Sequence, residues 1–154
     1  MYDAYLVEQG TLKNDVVDGK VVGFSFGVRV SNYRGIYLSL VNGFYVTVDG
    51  VEYPREIQTY EVNGKPPRTL EETMKSVWEH WALSDTLYIH IKKEGGLAPG
   101  QHEIGYMECT LAQYGYTNPE HDESLVTNPP LPGDPRGGMK TSRVNTYVLE
   151  LKED

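Results

Sequence analysis

Residues 22–30 constrain the fold more than any other stretch. Val22, Phe24, Phe26, Val28 and Val30 fall on alternate positions, with Gly23, Ser25, Gly27 and Arg29 between them. A period of two marks a strand with one face buried. After Asn32-Tyr33-Arg34-Gly35 the alternation resumes in Ile36, Leu38 and Leu40. The pattern predicts two strands joined by a turn, forming the spine of a sheet. Further short strands are expected at residues 2–7, 44–48, 51–53, 57–62, 86–92, 101–111 and 143–151. In the last but one, Ile104/Tyr106 and Met107/Cys109/Leu111 make two apolar sets, as in a strand covered on both sides. Asp18-Gly19, Asp49-Gly50 and Asn63-Gly64 supply turns, and Pro54 ends a strand because it cannot donate to a ladder.

One helix interrupts the strands. Thr69-Leu70-Glu71-Glu72 reads as a capping box. Leu70, Met74, Val77, Trp78 and Trp81 then recur at helical spacing. The spacing predicts a helix of about three turns with an aromatic stripe. That stripe either caps an open end of a sandwich or offers Trp78 and Trp81 as a platform for a sugar or a partner. The expected fold is all-β: an antiparallel β-sandwich, jelly-roll-like, with one short helix.

At 154 residues the chain is read as one domain, residues 1–154. Its 12 Tyr against 3 Phe suit a sheet face that stays partly wet or meets a partner. The net charge of −8 and the lack of basic blocks argue against nucleic acid and anionic membranes. No apolar run approaches the ~18 residues of a membrane span. The first residues show neither a basic n-region nor an apolar h-region, so the expected location is cytoplasmic. The single Cys109 excludes an internal disulfide and a Cys-rich zinc site.

Residues 112–142 show neither period and hold five of the nine prolines. Loops beyond about 12–15 residues in compact domains are usually functional or disordered. This one keeps the apolar anchors Tyr114, Tyr116, Leu125, Leu131 and Met139, so it is expected to lie against its own sandwich or another chain. Glu120-His121-Asp122-Glu123 puts four potential ligands in a row, but adjacent residues rarely converge on one ion. No metal site and no catalytic residue is assigned to this chain. Tyr33-Arg34 is the best polar candidate, since Arg and Tyr are favoured at buried anchors and Arg clamps carboxylates.

The order of several short motifs resembles the small β subunit of bacterial C-glycoside deglycosidases. The motifs are Met1-Tyr2-Asp3, Gly23-Phe24-Ser25-Phe26, Val28-Arg29-Val30, Asn32-Tyr33-Arg34-Gly35, Val48-Asp49-Gly50, Val62-Asn63-Gly64, Thr69-Leu70-Glu71-Glu72 and Gly95-Gly96-Leu97-Ala98-Pro99-Gly100-Gln101-His102-Glu103. The resemblance implies a heteromer in which a TIM-barrel α subunit carries a divalent metal, often manganese, and this chain binds no cofactor. It implies a 3-oxo-C-glucoside of a plant polyphenol as substrate, cleaved at the carbon–carbon bond by proton abstraction and elimination. Tyr33, Arg34, Tyr114, Tyr116, His121 and Arg136 are then candidates for contact with the pocket or the partner. Two other readings compete: a free-standing carbohydrate-binding module, and an architectural subunit of a different complex.

Overall fold

The computed structural model describes residues 6–30, 35–111, 139–141 and 145–152. They form strands β1 (Lys13–Val17), β2 (Lys20–Val28), β3 (Ile36–Tyr37), β4 (Val41–Val48), β5 (Val51–Glu52), β6 (Gln58–Glu61), β7 (His80–Trp81), β8 (Leu87–Lys92), β9 (Gly100–Leu111), β10 (Met139–Thr141) and β11 (Asn145–Leu151), with helix α1 (Leu70–Met74) between β6 and β7. One sheet has the order β1-β2-β8-β6. A second has the order β10-β9-β4-β5, with β11 also on β9; β3 and β7 make a separate ribbon. The pairings among these strands are antiparallel. The fold is the expected all-β sandwich with one short helix.

Alternation builds the interior. Phe24, Phe26 and Val28 of β2, with Leu87, Ile89 and Ile91 of β8, join Val46 and Val48 of β4 and Ile104 of β9 in one buried cluster. Each such side chain contributes about 1.5–3 kcal/mol by leaving water. Phe44 of β4 binds the parts together. Its ring lies 5.2 Å from Tyr60 of β6, 5.9 Å from Tyr106 of β9 and 6.1 Å from Trp81 of β7. One aromatic therefore touches both sheets and the ribbon.

The turns follow local chemistry. Asp18-Gly19, Asp49-Gly50 and Asn63-Gly64 have positive φ at both residues: 52° and 78°, 51° and 84°, 59° and 73°. A type I′ turn requires that pair of left-handed residues. Gly23 answers a different need, because a methyl group there would overlap the Ile91 carbonyl.

Several expectations are corrected. β2 and β3 do not pair; Ile36 and Tyr37 pair with Trp81 and His80 instead, and Leu38–Leu40 is a 3-10 turn. The helix stops at Met74, so Val77, Trp78 and Trp81 share no helical face. The capping box is present as read: Thr69 Oγ1 accepts from Glu72 N, and Glu72 Oε1 accepts from Thr69 N. What ends the helix is a competing set of contacts downstream. Glu79 N donates to Ser76 O in a tight turn, and Leu38 N donates to Glu79 O as the ribbon begins. Residues 139–141, assigned to the long loop from sequence, form β10 along Cys109–Leu111; residues 112–138 and 142 of that loop lie outside the described residues.

The Glu79 carboxylate anchors this region. Arg68 grips it with two N–H groups at 2.8 Å each, and Asn63, Ser76 and Lys65 donate at 2.9, 2.8 and 3.0 Å. The Arg68 bonds, above all, hold its carboxyl well below the usual carboxylate range despite burial. A depressed folded pKa stabilises the fold above the ordinary value near 4.5 and loses that contribution as pH falls.

Two outcomes follow. Phe44→Ala is expected to cost about 3–5 kcal/mol in chemical denaturation, the range for removing a buried ring. Glu79→Gln is expected to cost about 2–3 kcal/mol at neutral pH, toward the low end for breaking a partly buried ion pair, and to flatten the acid limb of stability against pH below about 4.5. Equal acid limbs in Glu79→Gln and the parent chain would remove this account of Glu79.

Candidate functional site

The sequence-derived candidates Tyr33, Arg34, Tyr114, Tyr116, His121 and Arg136 lie outside the described residues. The described residues offer three other polar or aromatic constellations. Each is built by strand register, and each was only partly visible in the sequence.

The first is the exposed side of the β3–β7 ribbon. Register puts Ile36 opposite Trp81 and Tyr37 opposite His80. Ile36 and Trp81 face the core, at 1% and 0% exposure. Tyr37 and His80 therefore face outward, and their rings meet edge to face at 5.3 Å. Trp78 sits in the turn that feeds the ribbon and is 89% exposed. The Glu79 clamp fixes the backbone directly after it. A large ring on a fixed support suits an interface anchor, because little freedom is lost on binding. Trp78 and Trp81 do not form the two-ring platform that their spacing allowed, since Trp81 is inside and donates its indole N–H to the Asp85 carbonyl.

The second lies on the outer face of the four-stranded sheet. His90 of β8 has Nδ1 at 2.8 Å from Asp15 Oδ2 and Nε2 at 2.7 Å from Glu61 Oε1. Ser25 Oγ donates to the other oxygen of Asp15 at 3.0 Å. Burial opposes charge on His90, but the bonds to the two carboxylates outweigh it and raise its pKa. A groove of about 430 Å³ runs beside it, lined in part by Lys13, Asp15, Val22, Thr59 and Lys92. The alternation of Leu87, Ile89 and Ile91 with Tyr88, His90 and Lys92 puts His90 outward. His90 and His102 do not meet: His102 pairs with Asp49 and the Ala98 carbonyl, both at 2.6 Å.

The third is internal. Tyr106 donates to the Glu108 carboxylate at 2.7 Å, and Tyr60 donates to Gln58 Oε1 at 2.9 Å. Gln58 in turn donates to the Tyr53 and Phe44 carbonyls. All four side chains are at most 2% exposed. Burial pushes both tyrosine hydroxyls up, and Glu108 pushes Tyr106 further. Glu108 was missed in the sequence. The signal was there in the parity Ile104, Tyr106, Glu108, which puts a carboxylate on the inward face.

These groups can bind, brace and hold protons; in the second and third, the hydroxyls that meet a carboxylate, Ser25 on Asp15 and Tyr106 on Glu108, are both fully buried. Among the described residues no group of three or more His, Cys, Asp or Glu is placed to hold a metal ion. Among them too, no helix is long and apolar enough to cross a membrane.

Comparison with known proteins bears on which of these surfaces matters. A family model described as C-glycoside deglycosidase beta subunit matches residues 2–114. A protein of Eubacterium cellulosolvens named C-glycoside deglycosidase beta subunit is 32% identical over 97 residues, covering 63% of this chain and 65% of that protein. The match thus spans a little under two thirds of the relative's length. The family model covers the first sheet, the ribbon and β9, so the resemblance seen in the short motifs extends over the whole framework that carries Trp78 and His90. This chain belongs to the C-glycoside deglycosidase beta subunit family.

Proposed function

We propose that this chain is the small subunit of a heteromeric C-glycoside deglycosidase that cleaves 3-oxo-C-glucosides of plant polyphenols. Membership of the beta subunit family carries the reading. A beta subunit has a companion, and the proposed companion is a metal-bearing TIM-barrel α subunit in the cytoplasm. The chemistry asks for a base to remove the proton beside the ketone and for a cationic stabiliser of the resulting enolate. A divalent ion supplies that stabilisation when bound by the companion. Collapse of the enolate then forms a carbon–carbon double bond in the sugar and breaks the bond to the aglycone, whose carbon leaves with the electron pair and takes up a proton.

The described side chains of this subunit support a bracing role in that scheme. His90, His102, Glu79 and Gln58 each spend their hydrogen bonds within the chain. Trp78 does not: it is exposed and sits in the turn leading into the ribbon that carries Tyr37 and His80. It is the proposed anchor in the companion, alongside Tyr33-Arg34 and the long loop. Exposed Trp and Tyr at one locus are typical of interface hot spots.

Mixing the purified subunits is expected to give turnover of a 3-oxo-C-glucoside that neither shows alone. Trp78→Ala is expected to leave thermal stability of the isolated chain unchanged and to weaken assembly about thirtyfold or more, the effect of losing a hot spot. Measured by titration of the two subunits, unaltered affinity in Trp78→Ala would remove the anchor, and inactive but assembled subunits would remove the reaction.

A further inference from the structure

The Asp15–His90–Glu61 chain spans the outer face of its sheet from one edge to the other. Strand order is β1-β2-β8-β6, so Asp15 lies on one edge strand and Glu61 on the opposite edge strand. His90 stands between them on β8. Asp15 has to reach across β2 to meet it. It can, because β2 places the small side chain of Ser25 opposite His90. The Ser25 Oγ donates to the other oxygen of Asp15 at 3.0 Å and steadies it. No backbone bond links β1 to β6 in this sheet; this side-chain strap does.

The strap has a proton requirement that geometry alone dictates. Ionised carboxylates only accept hydrogen bonds, so each His90 nitrogen must carry a hydrogen to satisfy its partner. That is the imidazolium. A neutral imidazole has one N–H and one lone pair, and the lone pair would then face a carboxylate oxygen at 2.7 or 2.8 Å. One carboxylate must leave. Asp15 has a side chain 20% exposed and a second bond from Ser25, whereas the Glu61 side chain is 42% exposed. Glu61 is the one with solvent to move into.

We propose that His90 is a proton-operated clasp, which straps β1 to β6 when charged and releases Glu61, and with it the β6 edge, when neutral. The surrounding charges are few. Lys13 on β1 and Lys92 on β8 line the adjoining groove, Asp15 on β1 and Glu61 on β6 are the two partners, and β2 contributes the uncharged Ser25. The upward shift of His90 sets the direction. A raised folded pKa stabilises the fold below the ordinary histidine value of 6.5 and loses that contribution as pH rises through the higher folded value. Asp15 is shifted down, against its burial, by His90 and Ser25. Its contribution therefore persists until pH falls below its ordinary 3.8. The clasp is closed below the ordinary histidine value of 6.5 and opens as pH rises through the higher folded value.

Release of Glu61 does not stop at β6. Two residues on, Asn63 donates to Glu79 at 2.9 Å, and Glu79 holds the turn that carries Trp78. The β6 edge is thus the mechanical link between the clasp and the ribbon. The clasp itself rests on this chain alone and stands or falls apart from any partner.

Amide hydrogen exchange of the full chain between pH 6 and pH 8.5, corrected for intrinsic base catalysis, with an NMR titration of the His90 ring, tests the clasp. The expected result is a His90 midpoint above 6.5 and opening of β6 amides that rises as pH passes through that midpoint. His90→Gln is expected to exchange at the open level at both pH values. Glu61→Gln, which keeps the size of the side chain, is expected to lower the His90 midpoint and to open β6 at pH 6. His102→Gln is expected to leave the pH dependence of β6 intact, separating the two histidines. A His90 midpoint below 6.5, β6 opening that ignores pH, or a pH response that survives in Glu61→Gln would overturn the proposal.

Discussion

The contact of Phe44 with Tyr60, Tyr106 and Trp81 is the constraint from which the rest of the molecule takes its geometry. Each of the three rings comes from a different strand, and between them they represent both sheets and the ribbon. Such a junction fixes more than packing volume. Tyr60 can approach Phe44 only if β6 has the register that puts Gln58 opposite Ile91. That register aims the Gln58 amide at the Phe44 and Tyr53 carbonyls. A buried amide left unpaired costs about 1–3 kcal/mol, so the polar network penalises any slip of β6 along β8. Aromatic contact draws the layers together; hydrogen bonding makes the arrangement unique.

The same junction explains where the helix ends. Trp81 must reach Phe44, and it does so from β7, an extended segment paired with Ile36 and Tyr37. A helix carried on to residue 81 would have put that ring elsewhere. The 3.6-residue spacing of Leu70, Met74, Val77, Trp78 and Trp81 is real, but it is outweighed by one ribbon pairing and the five donors on Glu79. Tertiary contacts override local preference in this way when a short helix has little intrinsic stability. Trp78 becomes exposed as a consequence: the chain turns beneath it so that its neighbours on either side can be held.

What could be read from the sequence was what depends on near neighbours. The alternation through Phe24, Phe26 and Val28, the three left-handed turn pairs and the Thr69–Glu72 box all involve residues within a few positions of each other. The outward placement of His90 was legible for the same reason. Its partners were not, because Asp15 and Glu61 lie 75 and 29 residues away. The pairing of β3 was misread because a period of two says which face is buried but not which strand lies alongside. Glu108 was overlooked because apolar residues on both parities of β9 hid a single inward carboxylate among them.

The hydrogen bonds of His90, His102, Glu79, Tyr60 and Tyr106 are spent within the chain, and that bears on what these groups can do. A general base needs a lone pair directed at substrate, and a metal ligand needs one directed at the ion. His90 and His102 have both nitrogens facing acceptors of the chain itself. Glu79 is saturated by four side chains, and the two buried tyrosines donate to Glu108 and Gln58. Recruiting any of these for catalysis would first break a bond that holds strands in register. Exposed Trp78 and Tyr37 carry no such obligation and lose only water on contact. This division among the described residues, polar groups committed to strand register and aromatic rings left on the surface, is what the proposed bracing role draws on.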